Sequence, residues 1–116
     1  MCHVLVIEDD FFIGDYIVQL VEAAGATSVA QAVTQQDAID EARQQRPEFI
    51  MSDVQLTEGT GPLAVQAILA ELGPIPVIFV TGTPEACEPC DAPAVILSKP
   101  INEGEVVRHF KMLAPA

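Results

Sequence analysis

The sequence predicts an α/β domain built as a doubly wound, five-stranded parallel sheet with a short or absent fourth helix. Three observations carry that prediction. Apolar runs that do not alternate recur along the chain, which marks strands covered on both faces. Segments with helical spacing separate these runs, and alternating strands and helices close into a sheet through right-handed crossovers. Half of the 116 residues are hydrophobic, which suits one domain with one core, here spanning 1–116.

Each element follows in order. Residues 3–8 read as the first strand, with "VLVI" running directly into Glu8, Asp9 and Asp10. From 11 to 24, Ile13, Ile17, Leu20, Val21 and Ala24 recur at helical spacing, and Gly25 supplies a stop. "ATSVAQ" reads as a short second strand. Thr34 to Gln45 forms a second helix on Ala38, Ile39 and Ala42, with Thr34 and Asp37 at its start. "PEFIMSD", 47–53, is an apolar run ending in an acid, and "LTEGTGP" is a glycine-rich loop. Pro62 fits the first turn of a third helix that runs to about Leu72. "GPIP" breaks it, and "VIFV", 77–80, and "AVIL", 94–97, are two more buried strands. Between them "TGTPEACEPCDAP" holds three prolines and supports one helical turn, near Pro84 to Cys87. Asn102 opens a last helix with Val106, Val107, Phe110 and Leu113 on its apolar side.

Composition narrows the function. The net charge is −12, from 17 acidic and 5 basic residues, which argues against nucleic acid and anionic membrane surfaces. It favours cations or a basic protein partner. Only 5% of the chain is aromatic, so the core is expected to be aliphatic. No stretch reaches the roughly 18 apolar residues of a membrane span, and no signal peptide is evident, so the expected location is cytoplasmic. Cys2, Cys87 and Cys90 are then expected to be reduced.

The chemistry-bearing residues stand where strands end. The first strand ends at Glu8 and Asp9, the third at Asp53, the fourth at Thr81, and the fifth at Ser98 and Lys99. In a parallel sheet those ends share one edge, where ligand sites of such folds lie. Like charges about 4 Å apart repel by about 4 kcal/mol at intermediate dielectric, so clustered carboxylates share protons or bind a cation. Hard oxygen ligands favour Mg²⁺. A cation, a lysine and a hydroxyl around one carboxylate equip a site for phosphoryl transfer, with Asp53 as nucleophile. Asp10 reads as a helix cap.

"VLVIEDD", "EFIMSDVQL", "VIFVTG" and "ILSKP", in this order and spacing, resemble the receiver domain of two-component response regulators. The resemblance covers essentially the whole chain and implies the flavodoxin-like strand order 2-1-3-4-5. It implies that Asp53 accepts a phosphoryl group from a histidine kinase or histidine phosphotransfer protein. Asp9 would bind Mg²⁺ directly, Glu8 largely through water, and Gln55 through its backbone carbonyl. Thr81 and Lys99 would read the phosphoryl group, and Pro100 matches a proline that commonly follows a cis bond. The expected protein is a stand-alone receiver, monomeric or weakly dimeric. It would catalyse only its own phosphorylation and dephosphorylation, and act on a downstream protein target or as a phosphate shuttle or sink.

The chain departs from the family pattern in three places. Ile96 stands where the family carries Tyr or Phe, Thr57 where proline is common, and the fourth helix is reduced. The short connection and "FVTG" are similar to an atypical receiver subgroup with a Phe-x-Thr-Gly motif. Two rival readings stand beside this one. A Mg²⁺-dependent phosphohydrolase would use the same Asp53, but often carries a second Asp where Gln55 stands. A redox or metal-sensing adaptor would use Cys87 and Cys90. A zinc site there needs two more ligands, for which His3 and Cys2 are candidates, although they stand at the start of the first strand, expected at the opposite edge.

Overall fold

The computed structural model describes residues 2–87 and 94–115. Five parallel strands, β1 (His3–Ile7), β2 (Ser28–Ala32), β3 (Phe49–Ser52), β4 (Val77–Thr81) and β5 (Val95–Ser98), pair in the order 2-1-3-4-5. Four helices connect or follow them: α1 (Phe11–Ala23), α2 (Gln35–Gln44), α3 (Gly61–Leu72) and α4 (Glu103–Leu113). Among the described residues, the β4–β5 connection carries one 3-10 turn, Pro84–Ala86. Prolines and the absence of helical periodicity account for that short turn.

The unbroken apolar strands are buried on both faces because two cores sandwich the sheet. Leu5, Ile7, Ile50, Val77 and Phe79 point to one face and pack with Ala38 and Ala42 of α2 and Ala64, Val65 and Ile68 of α3. Val4, Val6, Met51, Ile78 and Val80 point to the other, against Ile17, Leu20 and Val21 of α1 and Val106 and Phe110 of α4. The alternation is the strand period of two, expressed on a sheet that is apolar on both sides. The core is mostly aliphatic, as composition leads one to expect, but three phenylalanines join it. Phe49 and Phe79 are among its largest fully buried side chains, and Phe49 meets Phe110 edge to face with centroids 4.9 Å apart.

Side-chain caps set where the helices begin. Asp10 Oδ1 accepts from the backbone N–H groups of Phe12 and Ile13 at 3.0 and 3.1 Å. Thr34, Thr60 and Asn102 cap α2, α3 and α4 in the same way. Each cap satisfies helix N–H groups that have no intrahelical partner.

Two expectations need correction. β5 is not a buried strand: it is the sheet edge, paired only with β4 among the described strands, and Ile96 is 40% exposed. An apolar run alone cannot distinguish an edge strand from a central one. Cys87 is disulfide-bonded rather than reduced, an outcome that reasoning from compartment could not anticipate. Cys90 lies outside the described residues, and Cys2 is a buried free thiol at the opposite end of the sheet from the carboxylates. Among the described residues no helix is long and apolar enough to cross a membrane.

Gly61 marks the tightest approach in the frame. A Cβ there would run into the backbone carbonyl of Asp53 and the Ser52 hydroxyl, at the first residue of α3. Gly61→Ala is therefore expected to destabilise the fold by roughly 1–3 kcal/mol, the usual cost of forcing an extra methyl into a packed site. Urea unfolding of the variant and the parent protein checks it.

Candidate phosphoacceptor and cation site

The register brings the polar strand ends together. Ile7 lies opposite Ser52, Ser52 opposite Phe79, and Thr81 opposite Ser98, so the next residues emerge on one edge. Backbone bonds extend the pairing past the strands: Asp53 N–H donates to Ile7 O at 2.8 Å, and Lys99 N–H to Thr81 O at 2.8 Å.

The side chains then converge on the Lys99 ammonium. Its Nζ donates to Glu8 Oε1 and to Asp53 Oδ2, both at 3.1 Å. Glu8 is nearly sealed from solvent, with its side chain 2% exposed, and Asp53 is 12% exposed. A buried carboxylate needs such a partner, because desolvating an unpaired charge costs several kcal/mol. Glu8 Oε2 also accepts from the Asp10 N–H at 3.1 Å, and Asp53 Oδ1 from the Val54 N–H at 2.7 Å. Carboxylate oxygens of Glu8, Asp9 and Asp53 lie within 4.8 Å of one another. That set of hard oxygen donors fits a divalent cation such as Mg²⁺.

The other expected residues are placed differently. Thr81 is buried at the end of β4, but its Oγ1 accepts from the Thr83 N–H at 3.0 Å and lies 3.3 Å from the Thr83 hydroxyl. Gln55 is exposed on the loop after β3 and forms an isolated antiparallel bridge with Thr60. The Lys99–Pro100 peptide is cis. Sequence reasoning noted Thr57 only as a departure from proline. Its hydroxyl donates to Asp9 Oδ2 at 2.8 Å across 48 residues, a contact no local pattern signals.

A family model described as the response regulator receiver domain matches residues 4–111. The chain belongs to the response regulator receiver family. The phyllosphere-induced regulator PhyR of Methylorubrum extorquens is 32% identical over 107 residues, 90% of this chain and 40% of that protein. The solution structure of the PhyR receiver domain from Erythrobacter litoralis is similar with a TM-score of 0.86 and 29% identity, covering 99% of this chain and 95% of that one. A variant of the anti-anti-sigma factor PhyR from Bartonella quintana matches with a TM-score of 0.78 and 32% identity, covering 96% of this chain and 48% of that one. The receiver thus spans less than half the length of the Methylorubrum and Bartonella proteins. Its family is one of signalling domains in two-component systems.

Electrostatics divide the roles of the charged groups. Burial lifts the Glu8 carboxyl from its ordinary 4.5 to about 7, assisted by the Asp53 charge and opposed by the Asp10 N–H and Lys99. Burial alone would lower the Lys99 ammonium, but its hydrogen bond to Asp53 and the charges of Glu8 and Asp53 raise it overall. Burial alone would raise Asp9, but the Thr57 hydroxyl and Glu8 hydrogen bonds outweigh it and bring that carboxyl down.

These shifts set a pH dependence for the cation-free receiver. Folded Glu8 holds its proton more tightly than the unfolded chain does. Its stabilising contribution is complete below the ordinary value of 4.5 and lost as pH rises through about 7. Asp9 acts in a more acidic window and Lys99 in a more basic one. Without divalent cations, stability is expected to fall between pH ~5 and ~8, and Glu8→Gln to flatten that slope. Denaturant unfolding across that range checks it; an unchanged slope in the variant contradicts the assignment.

Proposed function

We propose that this receiver accepts a phosphoryl group on the Asp53 carboxylate from a histidine kinase or histidine phosphotransfer protein, with Mg²⁺ as cofactor. The observation that carries the reading is the Lys99 ammonium bridging Glu8 and Asp53, with Asp9 completing the carboxylate cluster. Glu8, Asp9, Asp53 and the Gln55 backbone carbonyl would hold the cation. When bound, Mg²⁺ offsets negative charge on the phosphoryl oxygens.

The chain's own groups account for the rest of the transfer. An Asp53 oxygen attacks the phosphorus of phosphohistidine and a P–O bond forms. The P–N bond breaks, its electron pair stays on the imidazole nitrogen, and that nitrogen takes a proton. Val54 N–H and Lys99 fix the two Asp53 oxygens beforehand, so little reorganisation is needed at the moment of reaction. Lys99 then follows charge onto the phosphoryl group, and the Thr81 hydroxyl exchanges Thr83 for a phosphoryl oxygen.

Output is by protein contact, or the chain works as a phosphate shuttle or sink. The anti-anti-sigma designation of a PhyR relative supports a downstream protein target. Ile96 replaces the aromatic of the usual coupling, so Thr81 and the neighbouring chain carry the switch without ring rotation.

Incubation with Mg²⁺ and acetyl phosphate is expected to add one phosphoryl group, read by intact-protein mass. Asp53→Asn is expected to show none, and Lys99→Ala to label roughly 10²–10³-fold more slowly. Undiminished labelling of Asp53→Asn overturns the assignment.

A further inference from the structure

The loop between β3 and α3 reaches across to the β1–α1 turn through one side chain. Thr57 lies on that loop, four residues after Asp53, and its Oγ1 donates to Asp9 Oδ2 at 2.8 Å. Three contacts that do not involve Asp9 hold the loop in place. Gln55 bridges Thr60, and the Gln35 side-chain carbonyl accepts from Thr60 N–H at 3.1 Å. The Gln35 N–H donates to Glu58 O at 3.0 Å. Leu56 packs on the core below, and Gly59, at φ 82°, turns the chain close against Gln35. The loop is thus a fixed platform, and Thr57 presents a hydroxyl from it.

The consequence for Asp9 follows from the valence of a carboxylate. It has two oxygens, and a donor fixed on one both orients the group and leaves the other for a cation. Mg²⁺ requires near-ideal octahedral geometry from few carboxylates, whereas Ca²⁺ readily takes a carboxylate through both oxygens. We propose that Thr57 is a positioning and selectivity residue: its hydroxyl holds Asp9 to one-oxygen coordination and thereby favours Mg²⁺ over Ca²⁺. The inference rests on the cation site of the proposed function. Hydrogen-bonded partners of metal ligands typically contribute about 10–100-fold in affinity.

Thr57 is exposed, and its loop is held elsewhere, so its substitution should leave the fold intact. Isothermal titration of Mg²⁺ and of Ca²⁺ into the parent protein, Thr57→Val, Thr57→Ala and Thr57→Ser tests the idea without reference to phosphorylation. Mg²⁺ affinity is expected to fall about tenfold or more in the Val and Ala variants. Ca²⁺ affinity is expected to change less or to rise, and Ser to restore the parent ratio. Parallel losses for both cations, unchanged Mg²⁺ affinity, or tighter Mg²⁺ binding in the Val and Ala variants would overturn the role of Thr57 alone. A parent protein that binds no Mg²⁺ would overturn the cation site itself.

Discussion

One ammonium group offsets the negative charge that gathers where the strand ends of this protein share an edge. Glu8, Asp9 and Asp53 bring three carboxylates within a few ångströms, and Glu8 is almost sealed from water. Repulsion and desolvation both oppose that arrangement. Lys99 opposes them by donating at once to Glu8 and Asp53, across 91 and 46 residues of sequence. The edge strand is thereby tied to the two central strands at the point where the carboxylates cluster. Glu8 responds to the remaining imbalance by holding its proton up to about 7.

The scaffold turns this balance into a defined geometry. Both faces of the sheet are packed, so strand register is not free to slip, and a slip by one residue would send every core side chain to the wrong face. Asp53 and Lys99 are fixed further by backbone hydrogen bonds to the ends of neighbouring strands. Only the close approach of Gly61 lets α3 begin directly against the Asp53 backbone. The Asp53 carboxylate is consequently held by rigid elements on most sides, while the 55–60 loop reaches Asp9 through Thr57.

Much of this was legible in the sequence, for identifiable reasons. The unbroken apolar runs declared strands buried on both faces, and the capping roles of Asp10, Thr34 and Asn102 were readable from residue type and position. The sparse pattern after Thr81 suggested at most one turn, near Pro84 to Cys87, and the described residues carry one at Pro84–Ala86. The convergence of Glu8, Asp9, Asp53 and Lys99 followed once the sheet was taken as parallel. Other features depend on distances that no local pattern encodes. Thr57 meets Asp9 only because Gly59 and Gln35 shape the intervening loop. The exposure of Ile96 reflects the position of β5 at the edge of the sheet, and an apolar tetrapeptide looks the same in either place. The inclusion of Phe49, Phe79 and Phe110 in the core shows that a low aromatic fraction does not say where the few aromatics go.

Paramagnetic broadening by Mn²⁺, which shares the oxygen-ligand preference of Mg²⁺, tests the central claim most directly. In an NMR titration, backbone signals of Glu8, Asp9, Val54 and Lys99 should vanish first, at substoichiometric ion. Signals of His3, Ser28 and Glu48, at the far end of the strands, should persist. Broadening centred elsewhere, or spread evenly over the acidic surface, would contradict a single cation site built around Asp53.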